Sequence, residues 1–129
     1  MKKIGLTGGI GVGKTYVSKI FRNLGYPVFN SDLQAKNCLT EDKGLIQEIK
    51  NTFGSTVYKA GELQRKELAN IVFKNIQKLD QLNKLVHPVV KSRFSDWCKK
   101  KDTLLVIKEA AILIESDSYL DLDAVICVS

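Results

Sequence analysis

A chain of 129 residues has room for one domain around one core, since domains most often hold about 100 to 150 residues. Its 44% hydrophobic and 26% charged residues lie near the averages for globular chains, which excludes collagen-like, disulfide-dense and disordered polypeptides. A net charge of +6 favours an anionic partner, but the basic residues are scattered apart from Lys99, Lys100 and Lys101, so there is no nucleic-acid-binding stripe.

Lys3-Ile4-Gly5-Leu6-Thr7 reads as a short strand stopped by Gly8. Val17, Ile20, Phe21 and Leu24 then recur at helical spacing, Gly25 supplies a C′ cap, and Pro27 forbids further helix. Val28-Phe29 makes a second strand that ends near Asn30-Ser31-Asp32. Strand, helix and strand of this length form a right-handed βαβ unit with parallel strands. Their C-terminal ends share one edge, which makes Gly8 and Asp32 neighbours.

From Leu33 to about Lys101 the pattern is mostly helical, interrupted by Gly54-Ser55 and Lys59-Ala60-Gly61 around the β-branched pair Thr56 and Val57. Leu63, Leu68, Ile71 and Val72 keep helix spacing, as do Ile76, Leu79, Leu82, Leu85 and Val86, and a further helix is expected to start at Pro88. Thr103 to Ile107 and Ala124 to Val128 are near-continuous apolar runs, as for parallel strands covered on both faces. The fold class is therefore α/β, a parallel sheet flanked by helices with a helical insertion at 33–101. Cys38, Cys98 and Cys127 are far apart and lack metal spacing, so they read as buried thiols. No apolar run approaches the ~20 residues of a membrane span, and the N-terminus lacks a secretory pattern, so a cytoplasmic protein without a membrane partner is expected.

Gly8 to Thr15 fits G-x-x-x-x-G-K-[ST] between a predicted strand and helix, the context a phosphate-binding loop requires. Glycines let backbone N–H groups turn toward phosphate oxygens, and the helix N-terminus adds partial positive charge. Lys14 is placed to reach the β- and γ-phosphates, and the Thr15 hydroxyl to ligate Mg²⁺. The loop does not name the acceptor, because GTPases, ATPases and small-molecule kinases share it. A guanine-reading Asn-Lys-x-Asp is absent, since Asn83-Lys84 runs into Leu85-Val86. Asp32, at a neighbouring strand end, suits a group that takes or orients an acceptor proton, or else N-caps a helix from Leu33. Glu109 closes the Leu104 strand, where it either reaches Mg²⁺ through water or stands as an exposed strand-end charge.

Several separated segments resemble the dephospho-coenzyme A kinase family in the right order. They are Leu6 to Thr15, Phe21 with Leu24-Gly25, Ser31-Asp32, Phe53-Gly54, Gly61 with Leu63-Gln64-Arg65 and Leu68, Val72-Phe73, Leu85 to Val89, and Ile112 to Glu115. The resemblance implies a phosphate-loop kinase fold and transfer of the ATP γ-phosphate to the ribose 3′-hydroxyl of dephospho-coenzyme A. It implies ATP contacts from Gly9, Gly11, Val12, Gly13, Lys14, Thr15 and Tyr16, Mg²⁺ at Thr15, and Asp32 at the acceptor hydroxyl. By the same resemblance the insertion becomes the coenzyme A region, with Arg65 and His87 as substrate contacts. Arg65 also reads as a solvated helix residue, His87 as part of a helix start, and Glu115 as a substrate or loop contact. The sequence departs from the family at Asn30, where a first aspartate is usual, at Tyr16, and at Ala110-Ala111, which lacks the usual proline. The family continues past Ser129 with an arginine-bearing lid and an adenine-contacting loop, so residues 1–129 are expected to be one kinase domain incomplete at its C-terminus. A kinase for another small hydroxylated substrate, or a nucleotide-binding module without catalysis, remains the alternative.

Overall fold

A computed structural model describes residues 1–8, 13–110 and 121–128. By its contacts the chain falls into two units, Met1–Gln34 with Lys91–Ser129, and Ala35–Val90. The first unit holds a parallel sheet of β1 (Lys2–Thr7), β2 (Val28–Asn30), β5 (Leu105–Glu109) and β6 (Ala124–Cys127), in the order β2-β5-β1-β6. The first two strands are thus parallel, as expected, but not adjacent. With β5 between them, the strands leading to Gly8 and Asp32 stand about 10 Å apart in the hydrogen-bonding direction rather than side by side. Glu109 pairs with Leu6 on one side and Asn30 on the other, so a carboxylate occupies the middle of that edge.

Helix α1 (Lys14–Asn23) ends as its sequence dictates. Gly25 adopts φ 91°, its N–H donates to the Arg22 carbonyl, and the Tyr26 N–H donates to the Phe21 carbonyl. These are the two bonds of a Schellman cap.

Strand alternation sends consecutive β5 side chains to opposite faces. Glu109 meets Ser18 of α1, while the Lys108 Nζ lies 4.8 Å from the Phe94 ring centroid on α5 (Ile76–Lys99). Phe29, Phe94 and Trp97 pack there with centroids 5.1 to 6.0 Å apart. Lys108 is only 2% exposed, and burial pushes its ammonium below the ordinary lysine value of 10.5, with Asp121 pulling the other way. Between that lowered value and 10.5 the unfolded chain binds more protons than the folded one, so stability rises with pH across this window. Lys108→Met is expected to raise the neutral-pH urea midpoint and flatten the alkaline rise; an unchanged slope would show that Lys108 does not cause it.

The second unit contains most of α2 (Ser31–Glu41), then α3 (Lys43–Phe53), a 3₁₀ turn at Ser55–Val57, a hairpin of β3 (Tyr58–Lys59) and β4 (Glu62–Leu63), α4 (Arg65–Phe73), and the first part of α5. Asp42 caps α3 by accepting from the Leu45 N–H at 2.8 Å. The expected break at 59–61 is a tight hairpin turn, with positive φ at Ala60 (53°) and Gly61 (81°). Both central residues of a type I′ turn need that conformation. Cys38, Leu45, Ile49, Val57, Leu68 and Val72 form the core of this unit, and the Tyr58 hydroxyl donates to the Leu39 carbonyl at 2.6 Å.

Pro88 does not start a helix but sits inside α5. An interior proline costs about 3 kcal/mol through its missing N–H and ring clash. Val86, Val90, Phe94 and Cys98 recur every fourth residue and are all buried, which supplies the packing that outweighs this cost. Two other expectations also fail. Cys127 is exposed whereas Cys38 and Cys98 are buried, and β6 is exposed along its length, with Val125 at 36% and Ile126 at 39%, since it pairs only with β1 among the described residues. No helix among the described residues is long and apolar enough to cross a membrane.

Candidate active site

The site in the first unit starts at the N-terminus of α1. Gly13 is its N-cap at φ 86°, ψ 9°, a left-handed conformation that strains any residue with a Cβ. The Val17 N–H donates to the Gly13 carbonyl at 3.1 Å, so the regular ladder begins at Gly13. A glycine cap has no side chain to accept the first N–H groups, and the first turn contains no acid. Lys14 is half-buried at the first helical position, where a cation opposes the helix dipole by about 0.3 to 1 kcal/mol. A bound anion reverses that sign. Thr15 is exposed, and the Tyr16 ring is 70% exposed, so the departure at Tyr16 does not fill the core. Gly9, Gly11 and Val12 lie outside the described residues, as do Ile112 to Glu115.

Asp32 is exposed in the first turn of α2. The helix begins at Ser31, two residues before the expected start, because the Asn30 side-chain oxygen accepts from the Leu33 N–H at 3.0 Å. Capping therefore falls to Asn30, the residue that departs from the family pattern, and the reading of Asp32 as N-cap is overturned. The exposed reading of Glu109 is overturned as well. Glu109 is 8% exposed and accepts a hydrogen bond from the fully buried Ser18 hydroxyl at 2.9 Å.

Among the described residues no lysine or arginine nitrogen lies within 4.0 Å of the Glu109 carboxylate, although buried carboxylates are ordinarily paired with a cation. That arrangement suits Mg²⁺, which takes hard oxygen ligands from one or two protein groups and completes its shell with water and substrate phosphates. The Thr15 hydroxyl and Glu109 carboxylate are donors of this kind. No group of three His, Cys, Asp or Glu among the described residues forms an all-protein metal cage.

Lys14, Thr15, Asp32 and Glu109 all belong to the first unit, at the C-terminal ends of β1, β2 and β5. Arg65 and His87 belong to the second. Arg65 is exposed at the first position of α4, beside a pocket of about 240 Å³ lined by Leu39, Leu63, Leu68, Val72 and Phe73. His87 is exposed on α5 immediately before Pro88, in mid-helix rather than at a helix start. Ser18 escapes sequence reasoning, although a serine among the apolar positions Val17, Ile20 and Phe21 is a signal for a buried polar contact.

The family model described as dephospho-CoA kinase matches residues 2–129. A dephospho-CoA kinase of Chlorobium chlorochromatii is 39% identical over 133 residues, covering 97% of this chain and 63% of the relative. A second, from Bacteroides fragilis, is 38% identical over 127 residues, covering 98% and 62%. The fold is similar to a crystal structure from Thermus thermophilus (TM-score 0.84, 31% identity, 99% of this chain and 65% of that one). It is also similar to a dephospho-CoA kinase from Campylobacter jejuni (TM-score 0.76, 26% identity, 98% and 66%). The chain therefore spans 63% and 62% of the two curated relatives' lengths.

Proposed function

This chain belongs to the dephospho-CoA kinase family, and on that premise we propose that it transfers the γ-phosphoryl group of ATP to the ribose 3′-hydroxyl of dephospho-coenzyme A. The observation that carries the reading is one sheet edge serving three groups: Lys14 follows β1, Asp32 follows β2, and Glu109 ends β5 between them.

The loop of Gly9, Gly11, Val12 and Gly13, with the first turn of α1 through Tyr16, wraps the triphosphate with backbone N–H groups. Lys14 sets its charge against the β- and γ-phosphates as negative charge shifts toward the leaving oxygen. Asp32 accepts the proton of the acceptor hydroxyl while the new oxygen–phosphorus bond forms and the bond to the β-phosphate oxygen breaks, releasing ADP. Thr15 and Glu109 would hold Mg²⁺, which would supply positive charge to offset that of the phosphate oxygens. Arg65 and His87, in the helical insertion at 33–101, contact the acceptor. The apolar pocket beside the Arg65 guanidinium suits a ligand with an apolar arm and anionic groups. Cys38, Cys98 and Cys127 are thiols rather than disulfides, which agrees with a reducing compartment, the cytosol.

A coupled assay for ADP with ATP, Mg²⁺ and dephospho-coenzyme A tests the proposal, and the expected result is acceptor-dependent ADP. Faster turnover with another hydroxylated acceptor would overturn the substrate, and nucleotide binding without ADP would reduce the protein to a binding module.

A further inference from the structure

Ser18 lies one helical turn beyond Lys14, so the two share a face of α1. A serine inside a helix commonly bonds back to the carbonyl four residues earlier or faces water. Ser18 instead is 0% exposed and donates to Glu109 Oε2 across 91 residues of sequence. The carboxylate it meets is buried, central on the sheet edge between Leu6 and Asn30, and without a lysine or arginine within 4.0 Å among the described residues. A bond serving stability alone is poorly made this way, because an apolar pair of similar shape avoids burying the charge. The bond makes sense where the charge is kept for a cation that arrives with the nucleotide.

We propose that Ser18 is a positioning residue: by holding Oε2, it fixes the Glu109 side chain so that its remaining oxygen is presented to the cation bound with the nucleotide. The inference rests on the proposed assignment of Glu109 to Mg²⁺. Ser18 touches neither substrate nor metal and acts through Glu109, tying the phosphate-loop helix to the carboxylate strand.

Calorimetric titration of the full chain with ATP, in Mg²⁺ and in EDTA, tests it on Ser18→Ala, Glu109→Gln and the double variant. Ser18→Ala is expected to cut the Mg²⁺-dependent gain in ATP affinity roughly tenfold, the scale of one hydrogen bond to a charged group, and to leave affinity in EDTA unchanged. Because one residue acts through the other, the double variant should lose no more than Glu109→Gln alone. An equal loss in Mg²⁺ and EDTA, or additive effects, would overturn the proposal by reducing Ser18 to a scaffold contact. If Glu109→Gln keeps the full Mg²⁺ gain, the metal assignment falls and takes this inference with it. If Glu109→Gln loses the gain and Ser18→Ala does not, only the role of Ser18 falls. Should Ser18→Ala fail to fold, Ser18→Cys, close in size and a weaker donor, carries the same comparison, and its results decide in the same way.

Discussion

Lys14→Ala is expected to lower kcat by about 10³-fold or more while leaving the fold intact. Cations that stabilise the moving phosphoryl group contribute on this scale, and the described first turn of α1 contains no second cation to substitute. Stability should move the other way. At the first helical position Lys14 opposes the helix dipole, and α1 has neither a side-chain cap nor an acid in its first turn, so removing the charge is neutral or gains up to about 1 kcal/mol. Thermal unfolding without nucleotide, run beside the kinase assay, separates the two effects. Lost activity with an unchanged or higher midpoint is the expected pattern. A lower midpoint with residual activity in proportion to folded protein would assign Lys14 to the fold. Lys14→Arg should not restore the rate, because a planar guanidinium does not reproduce the point charge of a compact ammonium.

Asp32→Asn is expected to reduce kcat by about 10² to 10⁴-fold, the usual contribution of a positioned general base, with little change in the KM for ATP. The contrast with its near neighbour makes the experiment sharp. Asn30 caps α2, so Asn30→Ala should cost about 1 kcal/mol of stability. Asp32 lies beyond the cap, in the first turn, where its charge suits the helix dipole. Denaturant midpoints and turnover numbers for the two variants should therefore fall on opposite axes, one mainly unstable and the other mainly inactive. A normal rate for Asp32→Asn would remove the base from the mechanism.

The parts of the site legible in the sequence are those written in contiguous residues. Gly13 and Lys14 announce themselves because a left-handed cap followed by a cation is a local backbone requirement. The same holds for Gly25, where the cap and its two hydrogen bonds lie within six residues. Asp32 is legible as a strand-end acid, but the choice between base and cap depends on the Asn30 side chain, which accepts the Leu33 N–H in the fold. Glu109 shows why the rest was hidden. Its burial and its Ser18 partner come from β5 inserting between β1 and β2, a pairing across roughly eighty to a hundred residues that no local window contains.

The sequence by itself determined the left-handed cap at Gly13, the parallel sense of the strands and their common C-terminal edge, since glycine conformations and the handedness of a βαβ crossover act over short range. The tertiary structure decided the strand order, the burial of Glu109 and Lys108, and the continuation of α5 through Pro88. Each of those is a balance between a local cost and contacts brought from elsewhere in the chain, and only packing fixes its sign.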